Sequence, residues 1–264
     1  MPATLIAAQQ GRYSILEAEL PDGAVTPIGV LLQDPESNRL YVRLRRDWAA
    51  IAPDDPVLPL LQDDLEIKAH EWGAEGLLAW LEDHLSNSLR ITDRQTALVD
   101  DFERALNRLY SRHIRSTVQA GVTHVPRYSL RVAAGRLLDN EEIETQDFEE
   151  VPPDLRRVGD DLFAAEIVGT SMEPLIPNGS VCLFRRFGAG SRQGKLVLVE
   201  ELGRGANDRY TVKRYKSARL QREDGTWEHN AIRLEPLNPE HQPFYLIPGE
   251  DRYRIVAEFV RVLY

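Results

Sequence analysis

The first 45 residues alternate apolar and polar positions in short runs that turn-forming residues separate. Three such runs occur, at residues 13–20, 28–32 and 39–45. The segments between them, Pro-Asp-Gly at 21–23 and residues 34–38, are typical of turns. In the third run Leu40, Val42 and Leu44 alternate with polar neighbours, which is the period of a strand with one buried face. This part of the sequence predicts a small antiparallel sheet.

The apolar period lengthens to three and four residues after Pro59. The pattern predicts a helix over about residues 61–85, interrupted near Gly73, and a second helix over residues 98–114. A weak helix-start signature, Thr-Asp-Arg-Gln, begins at Thr92. Strands followed by helices predict an α+β fold for this part of the chain.

The composition changes again near residue 122, where we place a domain boundary. The remaining sequence consists of short apolar runs broken by Gly, Pro and Asn, which is typical of an all-β domain. We therefore expect an α+β domain of unassigned role at 1–121 and a mostly-β domain at 122–264.

The formal net charge of −10 bears on the class of partner. Residues 1–125 carry 12 Lys and Arg against 19 Asp and Glu, so the first part of the chain is acidic. Nucleic-acid binding is usually supported by a basic surface. The one tight basic cluster there (Arg43, Arg45 and Arg46) fits a solvated strand edge at least as well as a phosphate contact. DNA binding stays open, but the charge does not support it.

The cysteine, histidine and hydropathy patterns predict the cellular compartment and argue against a disulfide and a metal site. The one cysteine, Cys182, lies in an apolar run and is expected in the core, so no intramolecular disulfide forms. The amino terminus lacks the features of a signal peptide, and no apolar run approaches the ~18 residues that span a bilayer. We expect a cytoplasmic protein without membrane association. The 6 His residues show no paired ligand spacing, so neither a metal nor a cofactor is expected.

A Gly- and Pro-rich passage at residues 167–180 places a serine on a tight connection. A predicted strand ends at Gly169, and Thr170 and Ser171 follow it. Such a connection exposes a hydroxyl and leaves neighbouring backbone N–H groups unpaired, which a nucleophile with an oxyanion site requires. A serine in such a segment is more often only a turn residue, so the pattern alone is weak.

A lysine on the predicted strand at 210–215 is the second candidate. Thr211, Lys213 and Tyr215 share one face of this strand, and Val212 and Arg214 share the other. A lysine on a half-buried face loses solvation, which lowers its pKa, and only a neutral ε-amine can accept a proton from a serine hydroxyl. A solvated strand lysine is the commoner case, so the residues alone leave both interpretations open.

Five segments in order resemble the motif series of LexA, UmuD and phage-repressor catalytic domains, which are S24 serine–lysine peptidases. They are Gly-Thr-Ser-Met-Glu-Pro at 169–174, Pro-Asn-Gly at 177–179, Gln-Gly-Lys-Leu-Val-Leu-Val at 193–199, Tyr-Thr-Val-Lys-Arg-Tyr at 210–215 and Leu-Glu-Pro-Leu-Asn-Pro at 234–239. The resemblance implies Ser171 as nucleophile, Lys213 as general base and backbone oxyanion donors at Thr170 and Ser171. It also implies a compact, mostly-β fold. Ser180 departs from the aspartate that usually follows this glycine, which we interpret as a local change of turn.

The resemblance also implies a substrate within the chain. In such proteins a small residue followed by glycine, upstream of the serine, is the bond that the domain cuts in itself. Ala134 and Gly135 occupy that place here. The implied function is a one-shot, self-cleaving switch, induced after DNA damage through a RecA-type co-protease. The resemblance further implies a homodimer, to which the last run, residues 253–264, is expected to contribute a sheet edge.

Two other functions remain open. LexA and phage repressors carry an amino-terminal helix-turn-helix and UmuD-type proteins only a short arm, and the acidic, strand-led residues 1–121 match neither layout. The chain is alternatively a transcriptional regulator or a protein-interaction module that uses its S24-like fold for dimerisation and binding. The third function is cleavage of other proteins, as in signal peptidases, against which the lack of a membrane anchor argues.

Overall fold

The computed structural model describes residues 9–20, 23–85, 88–128, 147–155, 158–186, 190–201, 210–221, 227–246 and 253–264. These residues divide into two units, one formed by the chain up to Val118 and the other by the chain from Gln119 to Leu263. Both units are rich in strands, and the α-helices of the described residues all lie in the first. None of the helices in these ranges is both long and apolar enough to cross a membrane.

The strands of the first unit form an antiparallel sheet. Its strands are β1 Gln9–Glu19, β2 Val25–Asp34, β3 Arg39–Leu44, β4 Leu89–Ile91 and β5 Gln95–Val99. The order is β3-β2-β1-β4, and β5 also pairs with β1. The first three strands confirm the runs predicted from alternation. The helix start predicted at Thr92 is wrong: Thr92 lies between β4 and β5, where its hydroxyl accepts a hydrogen bond from the Ile15 backbone N–H at 2.9 Å.

The described part of the first unit also contains three α-helices, and a short 3-10 helix, Leu58–Leu60, precedes the second of them. They are α1 Trp48–Ile51, α2 Leu61–His84 and α3 Phe102–His113. The predicted interruption of α2 is confirmed, because Gly73 has a φ of 72°, outside the helical region. Asn38, in the β2–β3 turn, caps the part of α2 after the kink. Its backbone oxygen and its Oδ1 accept hydrogen bonds from Ala74 N at 3.0 Å and Glu75 N at 2.9 Å.

The helix α3 begins later than the period predicted. Residues 98 and 99 belong to β5, and Asp101 in extended conformation accepts a hydrogen bond from Arg104 N at 2.9 Å. A side-chain acceptor at this position satisfies one of the free N–H groups of the first helical turn. This cap ends the strand and starts the helix, which apolar spacing alone did not distinguish.

Two arginines of the predicted basic cluster are buried within the first unit, so the solvated-edge interpretation is wrong for them. Arg43 donates to Asn107 Oδ1 at 2.8 Å and lies over the Tyr110 ring at 4.0 Å. Arg45 and Asp47 are each only 3% exposed and form a bidentate pair at 2.7 and 2.6 Å. Both arginines therefore serve the packing of this unit.

The second unit contains one nine-stranded sheet. Its strands are β6 His124–Tyr128, β7 Asp147–Glu150, β8 Leu162–Ile167, β9 Ser180–Arg186, β10 Leu196–Glu201, β11 Tyr210–Gln221, β12 Trp227–Glu235, β13 Phe244–Leu246 and β14 Tyr253–Val262. The order is β13-β12-β11-β10-β14-β9-β8-β6-β7, antiparallel except between β6 and β8. The sheet edge expected from residues 253–264 is wrong, because β14 pairs with β10 on one side and β9 on the other.

Among the described residues of this unit, β11 contributes to two clusters of apolar side chains. Val212 belongs to a cluster with Phe163, Phe184 and Leu198, and Tyr215 belongs to another with Val197, Val199 and Leu234. Cys182 lies fully buried in the first cluster, as predicted. The alternation predicted for residues 210–215 therefore places Lys213 on the side of β11 opposite Val212.

We predict that the buried pair Arg45–Asp47 is a main determinant of stability of the first unit. Asp47 Oδ2 also accepts a hydrogen bond from Thr117 N. Asp47→Ala would leave the Arg45 guanidinium buried without its carboxylate, which costs about 3–5 kcal/mol. Urea denaturation followed by tryptophan fluorescence measures this loss, since three of the four tryptophans precede residue 118. The exposed Asp93→Ala is the control, and a matching midpoint in both variants would contradict the prediction.

The same pair makes the first unit sensitive to acid. Burial alone would raise the pKa of Asp47, but hydrogen bonds from Arg45 and Thr117 outweigh it and lower this pKa to about 2. A carboxylate with a lowered pKa in the folded state stabilises above its ordinary pKa and loses that contribution as the pH falls toward 2. The stability difference between the wild type and Asp47→Ala should therefore shrink between about pH 4 and pH 2.

Candidate active site

Ser171 lies in the loop that joins β8 to β9. Gly169 opens this loop with a φ of 122°, a conformation that residues with a side chain rarely adopt. The two ends of the loop are tied together by hydrogen bonds from Gly169 N to Asn178 Oδ1 and from Gly179 N to Ile167 O, both 2.8 Å. These bonds hold the serine loop in one position beside the sheet. Ser171 itself is half-buried.

The structure brings Ser171 and Lys213 together, although 42 positions separate them in the sequence. Lys213 Nζ lies 2.6 Å from Ser171 Oγ. The same nitrogen donates to Thr211 Oγ1, on the same strand, and to the Val212 carbonyl oxygen at 3.0 Å. An ammonium group has three hydrogen atoms to donate, so these three acceptors satisfy it completely. The catalytic roles of the serine and the lysine stay predictions.

The surroundings of Lys213 are apolar, and its side chain is only 5% exposed. Val197 lies directly across from it on β10, and the Phe244 ring centroid is 5.9 Å from Nζ. Burial disfavours the charged form and lowers the pKa of Lys213 to about 8. At pH 7 about a tenth of such lysines are neutral, whereas the neutral fraction of a solvated lysine is below about a thousandth.

The predicted oxyanion donors lie on the same loop as the serine. No described residue accepts a hydrogen bond from the backbone N–H of Thr170 or of Ser171. Acyl-transfer sites bind the developing oxyanion with backbone N–H groups of this kind. The assignment of these two N–H groups as oxyanion donors stays a prediction.

The segment after β12 contacts the serine loop, which sequence reasoning did not foresee. Leu237 N and Asn238 N donate to the Ser171 carbonyl oxygen at 3.0 and 3.1 Å. Asn238 Nδ2 donates to the Thr170 carbonyl oxygen at 3.1 Å, and His241 Nε2 lies 2.9 Å from Thr170 Oγ1. The resemblance included residues 234–239 in the motif series but assigned them no role. That place in the ordered series was the one signal available for them.

The predicted cleavage site is the bond between Ala134 and Gly135. Ala134 and Gly135 lie outside the described residues. Among the residues that are described, no group of three or more His, Cys, Asp or Glu is placed to hold a metal ion.

The second unit is thus a mostly-β domain in which a serine hydroxyl lies beside a buried lysine amine. The family model described as Peptidase S24-like matches residues 126–260, just over half of the chain. The chain therefore belongs to the Peptidase S24-like family, which confirms the resemblance of the motif series. No curated protein matches the chain.

We predict that the lowered pKa of Lys213 is directly observable, without any assumption about activity. The sequence has four lysines, Lys68, Lys195, Lys213 and Lys216. In protein labelled with ¹³C at lysine Cε, one NMR signal should titrate near pH 8 and be absent from Lys213→Ala. Phe244→Ala admits water to the amine, so its signal should titrate at higher pH. The prediction fails if no lysine signal that depends on Lys213 titrates below about pH 9.

Proposed function

We propose that this chain is a self-cleaving serine peptidase that cuts its own backbone once, between Ala134 and Gly135. The observation that carries the proposal is the 2.6 Å contact between Lys213 Nζ and Ser171 Oγ, in a chain of the Peptidase S24-like family. The substrate in this proposal is the chain's own segment around residue 134. The reaction needs no metal and no cofactor, because the serine, the lysine and the backbone N–H groups supply every role.

The contacts of Lys213 explain how the amine acts as the general base. A neutral amine has two N–H donors and one lone pair. The Thr211 hydroxyl and the Val212 carbonyl oxygen accept the two N–H groups, which leaves the lone pair for the Ser171 hydroxyl proton. Deprotonation of Lys213 thus turns the existing contact into an activated nucleophile without a change of position.

The proposed reaction proceeds by acyl transfer. Ser171 Oγ attacks the carbonyl carbon of Ala134 while its proton passes to Lys213 Nζ. The negative charge that develops on the Ala134 oxygen is stabilised by the N–H groups of Thr170 and Ser171, which have no acceptor among the described residues. The bond to Gly135 then breaks, and the new amine takes the proton from Lys213. Water hydrolyses the ester on Ser171 and releases residues 1–134.

The proposal makes the chain a one-shot switch, because each molecule contains a single substrate bond. The released piece carries the acidic first unit. We propose that a RecA-type filament, as for the resembled proteins, favours docking of the cleavage segment, and that the chain acts as a homodimer in the cytoplasm.

Intact-mass measurement after incubation of the purified protein between pH 7 and pH 10 tests the proposal. We expect two fragments that divide at Ala134–Gly135. Their rate of formation should rise about tenfold per pH unit below pH 8 and level above it, as the amine loses its proton. Ser171→Ala and Lys213→Ala should remain intact over the whole range.

Fragments that divide at another bond would contradict the assigned cleavage site. Fragments that form equally in Ser171→Ala would contradict the mechanism. A wild-type chain that stays intact at every pH, with and without an added RecA-type filament, would instead favour the alternative function, a regulator or interaction module that uses the S24-like fold for binding.

A further inference from the structure

A short segment after β12, Leu237–His241, holds the serine loop through the loop's own carbonyl groups. We call it the clamp segment. Two of its backbone N–H groups bind the Ser171 carbonyl oxygen, and the Asn238 side chain binds the Thr170 carbonyl oxygen. Its last residue, His241, contacts the Thr170 hydroxyl. Four contacts thus converge on two consecutive residues, one of which is the proposed nucleophile.

The clamp segment orders its own asparagine. Asn238 Oδ1 accepts a hydrogen bond from Glu240 N at 3.0 Å, and His241 N donates to the Asn238 backbone oxygen at 3.2 Å. With Oδ1 engaged by an N–H donor, the other side-chain atom facing Thr170 O must be the amide nitrogen. The turn therefore presents Asn238 as a donor toward the serine loop.

The geometry of the peptide bond transmits this contact to the predicted oxyanion site. The peptide bond between Thr170 and Ser171 is trans, since the one cis bond among the described residues is Glu173–Pro174. In a trans peptide the C=O and the following N–H point in opposite directions. A donor that fixes the direction of the Thr170 carbonyl therefore also fixes the direction of the Ser171 N–H. This N–H group has no hydrogen-bond acceptor among the described residues.

We propose that Asn238 is a positioning residue that aims the Ser171 N–H at the oxyanion through its hydrogen bond to the Thr170 carbonyl oxygen. This inference rests on the proposed function, because it assigns a task to a group that matters only when Ser171 attacks a carbonyl or phosphoryl centre. The Glu173 N–H also donates to Thr170 O, at 3.2 Å. With one donor the peptide plane can still rotate about that hydrogen bond. The second donor, the Asn238 side chain, prevents this rotation.

The inference predicts a defect in transition-state stabilisation that leaves the lysine unaffected. Asn238→Ala removes the side-chain donor, while the backbone donors from the clamp segment to Ser171 O remain. Asn238→Asp keeps the Oδ1 acceptor for Glu240 N and replaces the donor with a carboxylate oxygen that repels the Thr170 carbonyl. Gln242→Glu is the matched control, because this exposed side chain next to the clamp segment gains the same charge without contact to Thr170.

Covalent labelling of Ser171 by an alkyl fluorophosphonate is the test, with intact mass recorded on the same samples. Ser171 Oγ attacks phosphorus as its proton passes to Lys213 Nζ, the P–F bond breaks and fluoride leaves, and the phosphoryl oxygen takes the place of the oxyanion. We expect labelling at least about tenfold slower in Asn238→Ala and Asn238→Asp than in the wild type, and within twofold of it in Gln242→Glu. The pH at which the labelling rate reaches half of its maximum should be the same in Asn238→Ala as in the wild type.

Labelling of Asn238→Ala within twofold of the wild type overturns the inference. A shifted pH midpoint in this variant overturns it as well, because Asn238 would then act through Lys213 and not through the peptide plane. A wild type that is labelled at Ser171 but never cleaves itself contradicts the self-cleavage proposal alone, and the comparison with Asn238→Ala still decides the inference. A wild type that is not labelled overturns both.

Discussion

Burial of the Lys213 amine is the constraint on which the rest of the site depends. An ammonium group that is removed from water must find acceptors for all its hydrogen atoms or give up a proton. The Thr211 hydroxyl, the Val212 carbonyl and the Ser171 hydroxyl supply three acceptors, and the apolar surroundings still lower the pKa to about 8. Lys213 therefore has hydrogen-bond partners in either protonation state, and it loses its proton at a lower pH than a solvated lysine does. A solvated lysine would keep its proton at neutral pH. A pocket without hydrogen-bond acceptors would make burial of the ammonium group costly.

The nine-stranded sheet supplies the rigidity that this balance needs. Lys213 lies on β11, which pairs with β10 over residues 210–214 and with β12 over residues 214–221, so hydrogen bonds to neighbouring strands hold this strand from one end to the other. Ser171, by contrast, lies on a loop, which two hydrogen bonds between its ends and the contacts of the clamp segment hold in place. Lys213 is thus positioned by the sheet and Ser171 by converging loops. This division agrees with the general rule that reacting groups often lie on loops which a rigid framework orients.

Local patterns in the sequence predicted those features that depend on neighbours in the chain. Alternation placed Lys213 opposite Val212, and Gly73 marked the interruption of α2. Contacts between distant segments were not predictable in this way. The burial of Arg45 requires Asp47 and Thr117 to converge, and the contact of Asn238 with Thr170 joins residues 68 positions apart. The expectation of a sheet edge at residues 253–264 was wrong for the same reason, because apolar alternation identifies a strand but not its neighbours in the sheet.

Whether a neutral Lys213 activates Ser171 is decided by the pH dependence of Ser171 phosphonylation in the wild type and in Lys213→Arg. An arginine keeps its charge throughout the accessible pH range and cannot accept the serine proton. Such activation predicts that wild-type labelling increases through a midpoint near pH 8 and that Lys213→Arg is labelled at least about a hundredfold more slowly at every pH. Equal labelling of the two proteins, or a wild-type rate that does not change between pH 6 and pH 10, would contradict it.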